Sequence, residues 1–272
     1  MRKRTTIIAA VAGFSMIGLG AAPGYAAPSD AQLSVFHGVP DLPVDVYVNG
    51  KLTLDDFKPG DMAGPLELAE GTYTVAITAA DAKDDSSPAI GPVDLKLAAG
   101  GSYTAAAHLG ADGKPTATLF TNDTSKVKAG DGRLTVRHVA AAPAVDVLAG
   151  KDAVITGLEN PNEEKLVLPA GTVSASVAAA GTTDPLIGPA DVMVKEGTGT
   201  IVYAWGSLDD DNLALATQSI SGLGSAPGGV PTGTAEVKDP MAAQGLLVGF
   251  GAILLAGFAF FGRKLRPATI RK

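Results

Sequence analysis

Three observations predict an all-β protein of two tandem immunoglobulin-like antiparallel β-sandwiches. Four sequence blocks recur in order, short runs of alternating polarity lie between Gly, Pro, Asn and Asp turns, and the middle of the chain has no helix-length amphipathic stretch. An N-terminal signal peptide and one C-terminal transmembrane helix complete the expected architecture.

The duplication is the strongest of the three signals. LSVFH at Leu33 returns as LTVRH at Leu134, VDVYVNG at Val44 as VDVLAG at Val145, LELAEGTYTVAI as LVLPAGTVSASV, and IGPVDLKL as IGPADVMV. Matched blocks at nearly constant spacing mark an internal repeat. The boundaries read as repeat 1 over residues 31–123, a polar linker over 124–133, and repeat 2 over 134–220. Each unit has the size of a small β-sandwich.

Within the first unit, Val44, Val46 and Val48 alternate with Asp45 and Tyr47 and predict a half-buried strand, since successive side chains point to opposite faces. Asn49-Gly50 is the dipeptide of a type I′ hairpin, and Leu52 and Leu54 continue on the return strand. Tyr73, Val75 and Ile77 follow Glu70-Gly71. Gly91-Pro92, Gly100-Gly101 and Asp112-Gly113 punctuate three further strands. Six or seven strands without a helical crossover between them predict antiparallel sheets. Tyr73, just after Gly71 at a strand start, has the position of the tyrosine corner of immunoglobulin-like sandwiches, with Val173 in its place in the second unit.

The ends of the chain carry different signals. MRKR followed by the apolar stretch Thr5–Gly20 and small residues Gly24 and Ala26 reads as a secretory signal peptide over residues 1–26. Residues 221–240 are rich in Gly, Pro and Ser, as a flexible stalk is. Residues 241–262 are 22 apolar or small residues apart from Gln244, long enough to cross a bilayer core of about 30 Å as a helix. Arg263, Lys264, Arg266, Arg271 and Lys272 form a basic tail over 263–272, which the positive-inside rule places in the cytoplasm. Gly245 and Gly249 have the spacing of a helix-pairing motif. Val230 to Thr234 resembles a sortase signal but lacks the spacer between Pro231 and Thr232, so wall attachment is the alternative to membrane anchoring.

Charge excludes some functions. All 28 acidic residues lie between Asp30 and Asp239 against 13 of the 21 basic ones, a net of −15 for that segment. Nucleic acid is therefore not an expected partner, because neutralising phosphates needs a basic patch. The absence of cysteine excludes disulfides and thiolate metal sites.

The repeat begins on a motif with a candidate site's composition. His37 stands eight residues before Asp45, and His138 eight before Asp146. A His37–Asp45 proton relay would need a nucleophile, yet no cysteine and no Gly-x-Ser-x-Gly exists in the mature chain. The other reading is a hydrogen bond that pins the first loop to the sheet. Asp81, Asp84 and Asp85, and Asp209 to Asp211, are carboxylate clusters of the kind that could collect calcium, without the spacing of a known loop. Trp205, the one tryptophan, fits either a core or a partly exposed aromatic contact. No catalytic, cofactor-binding or metal residues are assigned.

The pattern His37, Pro40-Asp41, Pro43, Val44-Asp45-Val46-Tyr47, Gly50, Leu68, Gly71 and Tyr73 resembles the bacterial family known as domain of unknown function 4397. In the second unit His138, Pro143, Val145, Asp146, Val147 and Gly171 keep it, while the Pro-Asp pair and both tyrosines are gone. The resemblance implies a secreted or anchored β-sandwich, often actinobacterial, and no catalytic residue. The expected function is a non-enzymatic, membrane-anchored surface protein with a structural or adhesive role. The alternative is an envelope module that binds a glycan or a partner protein.

Overall fold

The computed structural model describes residues 29–225, all of which are strands, turns or irregular segments. The expected signal peptide, apolar span and basic tail lie outside the described residues, as does the stalk beyond Ser225. No helix among the described residues is long and apolar enough to cross a membrane.

Repeat 1 forms eight strands: β1 (Ala31–Gly38), β2 (Val44–Val48), β3 (Lys51–Phe57), β4 (Met62–Leu68), β5 (Gly71–Ala79), β6 (Ile90–Leu97), β7 (Ser102–Leu109) and β8 (Pro115–Thr121). Repeat 2 forms the matching set: β9 (Asp131–Ala141), β10 (Val145–Ala149), β11 (Asp152–Leu158), β12 (Glu163–Pro169), β13 (Gly171–Ala179), β14 (Pro185–Val194), β15 (Gly199–Ser207) and β16 (Ala214–Ile220). The first repeat folds into sheets β4-β1-β7-β8 and β3-β2-β5-β6, the second into β12-β9-β15-β16 and β11-β10-β13-β14. Each pair of sheets encloses its own core. Val35, Ala107 and Leu109 meet Val44, Val46 and Ile77 in the first; Leu134, Val136 and Val202 meet Val145, Val147 and Val177 in the second.

The strands are not all antiparallel. β1 pairs with β7, and β9 with β15, in parallel. A parallel pair needs a long crossover, and the sequence has no helix to supply one. Here strands make that crossover: the chain leaves β1 for β2 and β3 of the opposite sheet, returns to pair β4 with β1, and passes through β5 and β6 before it comes back as β7.

The turns follow their chemistry. Asn49 and Gly50 both have positive φ, 51° and 73°, as the type I′ hairpin requires. Gly91 sits inside β6 at φ 90°, rather than ahead of it, and a Cβ there would lie 2.7 Å from the carbonyl oxygen of Val75. Only glycine fits that close approach. The Tyr73 hydroxyl donates to the carbonyl of Ala69 at 2.9 Å, a bond back to upstream backbone like that of a tyrosine corner.

The two sandwiches are not independent beads. Phe36, Ala106 and Phe120 of repeat 1 form a further core with Val139, Ile201 and Tyr203 of repeat 2, with the Phe36 and Tyr203 rings stacked at 4.5 Å. The sheets holding β1 and β7, and β9 and β15, are thus covered on both faces at their centres, the usual setting for parallel pairs. Within this apolar contact lies a polar network around Arg137. Its Nε donates to Glu163 Oε2 at 2.7 Å, Nη1 to the Tyr203 hydroxyl at 2.7 Å and Nη2 to Asn122 Oδ1 at 2.9 Å. The guanidinium stands 4.2 Å from the Phe120 ring centroid. Tyr203 passes the chain on, donating to Gln218 Oε1 at 2.6 Å, and Thr104 of the first repeat donates to the same oxygen at 3.1 Å. Burial raises the Tyr203 phenol against the opposing pull of Arg137, which keeps it a donor.

The stretch read as a linker is drawn into the same body. β9 begins inside it at Asp131, and Arg133 turns back to donate to the carbonyls of Asp123 and Ser125 at 2.8 and 3.1 Å. Buried Val127 exchanges backbone bonds with Leu223 and Ser225, so the first residues of the expected stalk are zipped to the connection.

Replacing Arg137 by Ala should lower unfolding free energy by about 3–5 kcal/mol in urea, because Glu163, Asn122 and the Tyr203 oxygen lose a buried partner together. A loss of under about 1 kcal/mol, the range of an exposed pair, would contradict the network's role.

Candidate functional site

The repeated His and Asp are brought near the same corner of each sandwich but not into a relay. His37, at the end of β1, donates from Nε2 to the Leu42 carbonyl at 2.7 Å, and His138 does the same to the Pro143 carbonyl at 3.0 Å. Each ring thereby fastens the Pro-containing loop that leads into the next strand. Burial lowers both imidazoles from the ordinary histidine value, which matches neutral rings with one donating nitrogen. His108 is buried and held likewise, between the Leu109 carbonyl at 2.8 Å and the Thr118 hydroxyl at 2.9 Å.

The aspartates serve a separate bond. Asp45 Oδ1 accepts the backbone N–H of Asp56 at 2.9 Å, and Asp146 Oδ1 that of Gly157 at 2.8 Å. Residues 56 and 157 both have positive φ, 50° and 64°, where the register of the edge strand shifts. The carboxylate therefore holds a bulge in β3 and β11. Asp146 also accepts the Gly181 N–H at 2.8 Å, a second bond that the first repeat lacks. This corrects the expectation of a half-buried β2: Asp45 and Tyr47 are buried as well as the valines Val44 and Val46.

In the first repeat the freed side of Asp45 faces more carboxylates. Asp45, Asp55 and Asp56 place ligand atoms within 4.8 Å of one another, and the Asp45 charge is the main reason that Asp55 is raised. Hard cations favour such oxygens. This grouping differs from the two aspartate runs singled out in the sequence; among the described residues those runs do not converge on a metal-sized centre. Asp84 instead accepts the Ser86 N–H at 3.0 Å, and Asp211 occupies a left-handed turn. The signal for the observed group was present, as Asp55-Asp56 lies across a hairpin from Asp45, but it needs the bulge to bring them together.

An open hollow lies where the repeats meet. Pro40, Asp41, Pro43, Lys58 and Pro59 of the first repeat face Trp205 and Asn212 of the second, around a space of about 440 Å³. Trp205 is half-buried, with its ring edge-on to Phe36 at 6.2 Å and close under Gly60. Three prolines and an indole give apolar walls, while Asp41, Lys58 and Asn212 supply polar groups. Its lining comes from both repeats, which is why neither repeat's sequence alone reveals it.

These features define a tandem β-sandwich protein whose repeated His and Asp build the fold's corner. Residues 31–148 match a family described as Domain of unknown function (DUF4397). The match takes in all of repeat 1 and both copies of the His and Val-Asp-Val motif. No curated protein matches the chain.

Both Asp45→Ala and Asp146→Ala should destabilise the fold by about 1–3 kcal/mol, with Asp146 the costlier since it accepts two backbone N–H groups where Asp45 accepts one. Denaturant melts of the two variants check the order; an unchanged midpoint for Asp45→Ala would return that residue to a functional role.

Proposed function

We propose that the chain is a non-enzymatic surface protein of the bacterial envelope, exported by residues 1–26, anchored by residues 241–262 and structural or adhesive in role. The observation that carries this reading is the fusion of two immunoglobulin-like sandwiches through the Arg137 network, which suits a stiff displayed body. The Tyr73–Ala69 bond supports the immunoglobulin-like assignment. Histidines and aspartates committed to backbone bonds support a role without catalysis. The Pro and Trp205 hollow favours a second reading, an envelope module that takes a glycan or partner protein, since aromatic and proline faces stack on sugar rings and on extended peptides.

Anchoring is tested by mass spectrometry of the mature C-terminus. A terminus at Lys272 is expected, whereas one near Thr232 would establish sortase attachment to the wall. Crosslinking on intact cells with wild type and Trp205→Ala separates the two roles: a partner captured by both fits a structural or adhesive body, and one lost in the variant fits binding through the hollow. Exclusive recovery from the cytoplasm would contradict the proposal.

A further inference from the structure

Between the sheets of the first sandwich lies a cavity of about 200 Å³. Leu33, Val46, Val75 and Leu95 are among the aliphatic side chains around it, and Lys51, Thr53 and Thr118 are the polar residues that border it. A water molecule in such a space would lack the two to four hydrogen bonds it needs, so a void of this kind stays dry and takes apolar matter.

One wall gives the cavity its width. At the centre of β7 and β8, Ala105, Ala107 and Ala117 border the cavity, with Leu119 the larger core-facing residue opposite Ala105. Strand register places Val202, Ala204 and Leu215 at those points in the second sandwich, where Val202 and Leu215 pack into the core. The second repeat thins the opposite wall instead, with Ala175 and Ala190 where the first has Val75 and Val93. The side chains that line the space thus differ between the two repeats.

The cavity also has a way out. Leu54, Leu66 and Leu68, on the edge strands β3 and β4, are half-buried, and Lys51 and Thr53 beside them are exposed. A ligand entering between these edges would keep one end in water. We propose that the first sandwich binds a single unbranched aliphatic chain, of a fatty acid or a lipid, with its polar head group beside Lys51 and Thr53. This site is separate from the outer hollow and does not depend on what that hollow takes.

The test labels the full-length chain, in vesicles of the membrane that produced it, with a diazirine-bearing decanoic acid. Peptides are then mapped by mass spectrometry. Label is expected within Lys51–Leu68, and excess unlabelled decanoic acid should displace it; displacement by decanol as well would identify the chain, not the carboxylate, as what is recognised. Carrying over the second repeat's residues, Ala105→Val with Ala117→Leu, should cut that label about tenfold by occupying the space, with the melting temperature held or raised. Competition in the wild type decides the matter even if the double variant fails to fold. No label in that stretch, label that neither competitor displaces, or label kept by the folded double variant would each overturn the proposal.

Discussion

A guanidinium out of water is the constraint on which the rest of this structure depends. Arg137 sits in the contact between two sandwiches with its donors shared among Glu163, Tyr203 and Asn122 and an aromatic ring against its face. Removing such a charge from solvent is costly, and geometry of this quality is what offsets it. The consequence is directional. Apolar side chains such as Phe36, Ile201 and Phe120 would bury area in many relative placements, whereas the network is complete in one. Two copies of a small fold become a single body in which the centres of the facing sheets are covered on both sides.

That burial explains where the sequence misleads. The polar residues of LTVRH, of the Thr104 run and of Gln218 look like the wet face of strands, because alternation assigns them to the side away from their own core. They do face away from it, into the neighbouring repeat. Turn chemistry was legible in full at Asn49-Gly50, and so was the duplication, since both are local signals. Parallel pairing of β1 with β7 was hidden because its crossover is made of strands, and pairing partners far apart in sequence leave no periodic trace. The Pro and Trp205 hollow and the first repeat's cavity were hidden for a related reason: each is made by residues that meet only after both layers have folded.

The repeated motif illustrates how composition can mimic a site. A histidine eight residues before an aspartate suggests a relay, yet the ring secures a loop carbonyl and the carboxylate secures a bulged N–H. Both copies do this with different neighbours, which is the sign of a folding device. The first copy then departs from the second where Asp55 and Asp56 join Asp45, and where alanines open the core. The two copies thus keep one fold with different side chains around the core and beside the aspartate.

The central claim is that the interface makes one cooperative unit of the two repeats. Scanning calorimetry of the full-length chain measures this most directly. A single transition across residues 29–225, with calorimetric and van't Hoff enthalpies equal, is the result the account predicts. Two resolved transitions, each carrying the enthalpy of about one 90-residue sandwich, would contradict it.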